Sequence, residues 1–226
     1  MVTTLYLVRH CQAEGNLMMA YHGQTDGAVT EMGYAQLAAL TPATADWNLS
    51  AIYSSPLVRA RKTAEAVNEN YHLPIVIDDN LMEIYCGEWE GKDWETIFTD
   101  YHESYVTWET EPENFVSPGG ESMREAYDRI TDTINGYLQN HIGETIAVVG
   151  HSAVFRCYLS YVLHGALADL NGIGWGDNTN ICKITFDEAL TPTLEYKYDA
   201  SHLTDDISTT QLRKRLGIRR PKALKE

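Results

Sequence analysis

The stretch Leu5-Tyr6-Leu7-Val8-Arg9-His10 decides the reading of this chain. Consecutive apolar residues without polar alternation describe a strand buried on both faces, the pattern of parallel sheets. A guanidinium and an imidazole follow at its end. Ile146-Ala147-Val148-Val149-Gly150-His151 repeats the form. In open α/β sheets, ligands sit beyond the carboxyl ends of the strands. Two histidines and Arg9 are therefore expected to face one another across one sheet edge. Ser54-Ser55 and Arg59 belong to the same end, since they follow the short apolar run Ala51–Ser54.

Working outward, strand-like runs cover 3–8, 51–54, 75–77, 145–149, 181–186 and 194–198. Helical patterns alternate with most of them. Thr30 reads as the N-cap of a helix over 31–40. Pro56 reads as the first residue of a helix that runs to about Asn70, a position where its missing N–H does no harm. Residues 121–140 carry Met123, Ala126, Ile130, Ile134, Tyr137 and Leu138 at helical spacing, and 152–163 follow the strand that ends at Gly150. Alternation of strand and helix predicts an α/β fold, a three-layer α/β/α sandwich with a mostly parallel central sheet.

Residues 92–120 differ from the rest: Trp94, Phe98, Tyr101, Tyr105, Trp108 and Phe115 are interleaved with acids and broken by Pro112, Pro118, Gly119 and Gly120. They read as an insertion over the active-site edge of a single domain, 1–211, with Tyr21 and His22 completing a mouth able to stack on a ring or sugar. Met18-Met19 read as packing residues.

The chain has 226 residues and a formal net charge of −15. That balance argues against nucleic acid or an anionic membrane as partner but leaves a small anion possible, since a few arginines reverse the field inside a cleft. The segment 212–226 holds seven basic residues against Glu226, so it carries +6 and leaves −21 on the remainder; it reads as a solvated basic tail. The cysteines Cys11, Cys86, Cys157 and Cys182 show no metal or disulfide spacing. No stretch approaches the ~20 apolar residues of a membrane span, and the first ten residues lack a signal peptide's apolar core. The expected location is the cytoplasm. Oligomeric state is not legible.

The residue types on the sheet edge fit phosphoryl transfer. A neutral imidazole nitrogen can attack phosphorus and form a phosphohistidine. Arg9 and Arg59 offer planar forks for the equatorial oxygens. His151 can donate to the same oxygens. The departing alkoxide needs a proton, which Glu83 can supply before its carboxylate activates water; Glu14 and Glu88 are alternatives. No metal or cofactor is required, since arginines and histidines carry the charge.

The ordered series Leu7-Val8-Arg9-His10, Asn16, Thr30-x-x-Gly33-x-x-Gln36, Ser54-Ser55-Pro56-Leu57-x-Arg59-Ala60-x-x-Thr63-Ala64, Glu83-x-x-x-Gly87-x-Trp89-Glu90-Gly91, Pro118-Gly119-Gly120-Glu121-Ser122 and Val148-Val149-Gly150-His151 resembles the histidine phosphatase superfamily, also called phosphoglycerate mutase-like. The resemblance spans residues 3–187. It implies His10 as nucleophile, His151 as its partner, Glu83 as the acid, and Arg9, Arg59 and Asn16 with His151 as phosphate ligands. His22 and Gly23, in the loop after the nucleophile, are possible substrate contacts.

The family's common Gly-Glu-Thr after Arg-His is Cys11-Gln12-Ala13 here, which removes one potential hydroxyl contact and sets a thiol, a candidate oxidation-sensitive site, beside the nucleophile. The block Glu83-Ile84-Tyr85-Cys86-Gly87 lacks the mutases' Glu-Arg-His-Tyr-Gly and resembles the phosphatase branch. The implied function is hydrolysis of a small phosphomonoester; a phosphoglycerate mutase or a silent phosphate binder are the alternatives.

Overall fold

The computed structural model describes residues 1–17 and 20–218. Met18-Met19, expected to pack, and residues 219–226 of the basic segment lie outside the described residues. The elements in chain order are β1 (Thr3–Arg9), α1 (Glu14–Leu17), α2 (Glu31–Ala43), β2 (Ala51–Ser54), α3 (Val58–Asn68), β3 (Ile75–Ile77), α4 (Trp94–Asp100), α5 (His102–Thr110), α6 (Met123–Asn140), β4 (Thr145–Gly150), α7 (Ser152–His164), β5 (Ile181–Phe186), β6 (Pro192–Asp199) and α8 (Thr209–Arg215).

The six strands form one sheet in the order β3-β2-β4-β1-β5-β6. β3, β2, β4 and β1 pair in parallel; β5 runs antiparallel to both β1 and β6. The sheet is thus mostly parallel, with β5 the strand that opposes the rest. In β1, Leu5 and Leu7 face one side with α6, α7 and the aromatic segment; Tyr6 and Val8 face the other with Leu40 of α2 and Ala60, Ala64 and Val67 of α3. This two-residue alternation between two cores is why the run carries no polar residue. Removing one such side chain (Leu7→Ala) costs about 2–5 kcal/mol.

Most expected elements appear within a residue or two, and the exceptions have local causes. α3 begins at Val58 rather than at Pro56. The carboxylate of Asp26 accepts the Val58 N–H at 2.9 Å and so defines the first turn, while Leu57 stays extended. α3 stops at Asn68, whose side chain pairs with both backbone groups of Leu73 at 2.8 Å. α6 begins at Met123 because Ser122 and Glu125 form a capping box, worth about 1 kcal/mol. α1, α4, α5 and α8 carry no expectation from sequence.

The segment 92–120 meets the reading of an aromatic mouth only in part: Trp94, with Tyr21 and His22, lines the cavity at the carboxyl end of the sheet. Tyr105, Trp108 and Phe115 are buried in the core shared with the sheet, packed with Trp89 and Trp94. Their apolar area goes to folding. The basic segment expected from Leu212 begins inside α8, so its first residues are part of the folded body. No helix among the described residues is long and apolar enough to cross a membrane.

Candidate active site

The carboxyl ends of β1, β2 and β4 meet at a cavity of about 80 Å³ lined by Arg9, His10, Asn16, His22, Gly23, Arg59 and Glu83, among others. Strand pairing sets this directly: Arg9 is opposite Gly150, and Ser54 is opposite Val149. The His10 N–H donates to Gly150 O at 3.0 Å and the Ser55 N–H to Val149 O at 3.0 Å. The residues that follow the three strands are thereby locked side by side.

His10 is 5 % exposed. Its Nδ1 lies 2.6 Å from the carbonyl oxygen of Cys11. A carbonyl only accepts, so Nδ1 carries the hydrogen and Nε2 keeps the lone pair. Burial, then the charges of Arg59 and Arg9, hold the ring's pKa well below the ordinary 6.5. The imidazole is neutral and its free nitrogen is defined.

His151 is fully buried, with its ring centroid 5.1 Å from that of His10. Its Nε2 is hydrogen-bonded with Ser55 Oγ at 2.8 Å, and its Nδ1 has no partner among the described residues. Burial first, then Arg59, lowers its pKa well below the usual value. An orphaned buried ring nitrogen is costly unless a ligand completes it.

Arg59 reaches the cavity from α3, nearly inaccessible to solvent, with Nη1 bonded to Thr25 O at 2.9 Å and Nη2 to Gly23 O at 2.7 Å. Those carbonyls belong to a loop fixed by Glu90, which accepts the Gln24 and Thr25 N–H groups at 2.9 Å each. Gly23 has φ +37°, and a Cβ there would meet Glu90 Oε1 at 2.0 Å, so only glycine fits. Arg61 is exposed on the far side of α3, as its spacing predicts.

Arg9 donates from Nη1 to Gly176 O at 2.7 Å. Asn16 Oδ1 accepts the Ala13 N–H at 3.1 Å and Asn178 Nδ2 at 3.3 Å. His22 packs on Gly15, where a Cβ would lie 2.3 Å from its ring; partial burial lowers its pKa.

Glu83 is buried at the wall. Its Oε1 accepts Ile84 N–H at 3.0 Å and Val154 N–H at 3.1 Å, and its Oε2 accepts Ala153 N–H at 3.0 Å. A carboxyl group at a helix N-terminus is favoured by the unpaired N–H groups there. Glu14 and Glu88, the alternatives, are exposed and do not line the cavity.

The segment 5–198 matches the description "Histidine phosphatase superfamily (branch 1)". The chain belongs to the histidine phosphatase superfamily. Within it, the chain is 31 % identical over 184 residues to phosphoserine phosphatase 1 of Hydrogenobacter thermophilus, covering 81 % of this chain and 87 % of that one. It is 29 % identical over 166 residues to adenosylcobalamin/alpha-ribazole phosphatase of Salmonella typhimurium, covering 74 % and 82 %. The solved structure of Bacillus stearothermophilus YhfR superimposes with a TM-score of 0.83 at 28 % identity, covering 88 % of this chain and 98 % of that one.

The histidine phosphatase motifs have physical reasons here. Gly33 lets α2 press on the nucleophile loop, since a Cβ would lie 2.2 Å from Gln12 O, and Gln36 accepts the Gln12 N–H at 2.8 Å. Gly87 and Gly120 let the 85–87 and 118–120 backbones cross in contact; Cβ atoms there would lie 2.3 and 2.4 Å from carbonyl oxygens. Glu121 and Arg129 pair at 2.8 Å, and Arg129 also ties Asn80 O and Met82 O, which holds the Glu83 turn.

Cys11 corrects the expectation of a sensitive thiol. It is fully buried against Leu37 and Ala66, and burial pushes its pKa up to about 11, the setting of an inert cysteine. Asn178, Arg213 and Trp175, the last also lining the cavity, escaped the sequence reading. Asn178 donates to His10 O at 3.0 Å, and Arg213 lines the same cavity from α8. Proximity of Gly176-Asp177-Asn178 to the site carries no sequence signal, because it depends on β5 returning beside β1.

Proposed function

We propose that the chain hydrolyses a small phosphomonoester through a phosphohistidine on His10. The observation that carries this is the defined lone pair at His10 Nε2 in a cavity that also holds Arg9, Arg59 and Glu83. The ester phosphate sits between the two guanidinium groups, with Asn16 alongside, and one of its oxygens completes the orphaned Nδ1 of His151. His10 Nε2 attacks phosphorus while the ester P–O bond breaks, and the alkoxide takes the proton from Glu83. Product leaves. Water then attacks the phosphohistidine and gives its proton to the Glu83 carboxylate, and the P–N bond electrons return to Nε2. Positioning and charge on the equatorial oxygens supply most of the rate.

The phosphatases among the relatives, the phosphoserine and alpha-ribazole enzymes included, support a small metabolite as substrate. His22 and Gly23 line the same cavity as Arg9 and Arg59, within reach of a bound ester. The test is rapid quench with radiolabelled phosphomonoester. Acid-labile label should appear on the wild-type chain and not on His10→Ala, whose turnover should fall on the order of 10⁵-fold. Label persisting on His10→Ala places the nucleophile elsewhere.

A further inference from the structure

We propose that Arg213 binds a carboxylate on the organic part of the substrate, which makes the favoured substrates phosphomonoesters that carry a carboxylate. This deepens the phosphatase reading and rests on it. Arg213 lines the His10 cavity and also an adjoining cavity of about 370 Å³, shared with Arg9, Trp175 and Lys214. Arg9 lines both cavities as well but is taken up by the phosphate, so Arg213 is the further guanidinium between the phosphate site and the adjoining space open to the ester's remainder. Arg9 and Arg59 already match the two charges of a phosphate, so a third guanidinium exceeds what phosphate alone needs. In a chain of net charge −15, that excess is local and placed.

The side chain is held rather than solvated. Its Nη2 donates to Asn16 O at 2.9 Å, while its Nε is buried with no partner among the described residues. Burial lowers its pKa, a cost that an anion would recover. A guanidinium with one nitrogen anchored and further N–H groups unspent matches a planar two-oxygen acceptor.

The helix that carries it is fastened to the catalytic frame. Gln12, two residues after His10, donates to Thr209 Oγ1 at 2.9 Å; Gln36 donates to Thr209 Oγ1 at 3.1 Å and to Ile207 O at 2.8 Å. Asp177 accepts Ser208 Oγ at 2.5 Å, and its neighbour Asn178 donates to His10 O. The distance from nucleophile to Arg213 is thus fixed by buried bonds, as selection by length requires. Trp175, which lines both cavities, has the Arg156 guanidinium 3.8 Å over its ring.

The test uses esters that differ only by the carboxylate: phosphoserine against phosphoethanolamine, and 3-phosphoglycerate against glycerol 3-phosphate, with nitrophenyl phosphate as reference. The wild-type chain should prefer the carboxylate member of each pair. Arg213→Met should lose about 10-fold or more in kcat/KM on that member, mainly through KM, as expected for a lost charged hydrogen bond, and less than about 3-fold on its partner. Arg213→Lys should restore part of the loss. Equal losses on both members would overturn the proposal and make Arg213 a phosphate ligand or a scaffold residue; so would a wild-type chain indifferent to the carboxylate. Wild-type chain that releases phosphate from none of the esters, nitrophenyl phosphate included, defeats the phosphatase reading itself and the proposal with it.

Discussion

Glu83 Oε2 accepts the backbone N–H of Ala153 at 3.0 Å, which fastens the candidate acid to the first turn of the helix that begins just after His151. The candidate acid is thereby tied to the helix that follows the second histidine, although the two stand 68 positions apart in the chain. Glu83→Gln keeps the shape and one acceptor oxygen but cannot donate or receive the catalytic proton. Turnover of alkyl esters should fall about 10²–10⁴-fold, and that of nitrophenyl phosphate far less, because its leaving group needs little protonation. Its amide also points N–H at N–H, which should cost about 1–3 kcal/mol in urea unfolding. Equal losses on the two ester types would remove Glu83 as the acid.

Ser55 and His151 form the second coupled pair. The Ser55 hydroxyl is buried and holds His151 Nε2 at 2.8 Å, which leaves Nδ1 without a partner among the described residues; in the proposed mechanism that nitrogen meets a phosphoryl oxygen. His151→Ala should lose about 2–4 kcal/mol of transition-state stabilisation, by comparison with loss of one oxyanion donor. Ser55→Ala should lose a smaller part, about 1 kcal/mol, with KM for the ester nearly unchanged. Steady-state kinetics on both variants decide it. A Ser55→Ala chain with wild-type kcat would show that the ring needs no hydroxyl to orient it.

What the sequence made legible was the part governed by short-range rules. β1 and β4 announced themselves by apolar runs because both faces are buried, and their terminal His10 and His151 followed from strand direction alone. The series of glycines and caps fixed the order of the motifs. What stayed hidden depends on packing between distant segments. Tyr105, Trp108 and Phe115 looked like a binding surface because acids surround them in sequence, yet those acids take the outward helix faces while the rings fill the core. Arg213 looked like a solvated tail residue because its tethers, Thr209 to Gln12 and Gln36, pair residues more than 170 positions apart. Pro56 looked like a helix start because the cap that overrides it, Asp26, comes from another loop.

The depressed pKa values of the two site histidines make stability fall with acid. Both His10 and His151 are shifted down, by burial first and by Arg59 next. At neutral pH both are neutral folded and unfolded, and contribute nothing. Below about 6.5 the unfolded chain takes up protons that the folded chain refuses. Stability therefore declines with falling pH, by about 1.4 kcal/mol per unit for each histidine, until the folded pKa is reached. Urea midpoints at pH 7 and pH 5.5 should show the loss, and His10→Gln should reduce its slope by one histidine's share. An unchanged slope would mean that the His10 ring protonates in the folded state as readily as in the unfolded. The acid limb of kcat/KM should lie below the ordinary histidine range for the same reason.

Cys11 stands next to the nucleophile in sequence but points away from it, into α3, where its Sγ lies 3.7 Å from Arg59 O and its N–H donates to Thr63 Oγ1 at 2.9 Å. Thiols react as thiolates, and one with its pKa raised to about 11 holds almost none at pH 7. The native chain should keep its activity in mild peroxide and expose no Cys11 thiol to a disulfide reagent until urea unfolds it. Cys11→Ser should then be worse than Cys11→Ala, since the shorter C–O bond draws the hydroxyl out of reach of Arg59 O, the acceptor of the thiol, and leaves it among Leu37, Ala66 and Val29. The cost is about 1–3 kcal/mol for a hydroxyl that fails to find a partner, read from the urea midpoint, with turnover of the folded chain unchanged. Inactivation by peroxide that Cys11→Ala abolishes would mean that α3 opens often enough to bring the thiol to solvent, and burial would then not be what protects it.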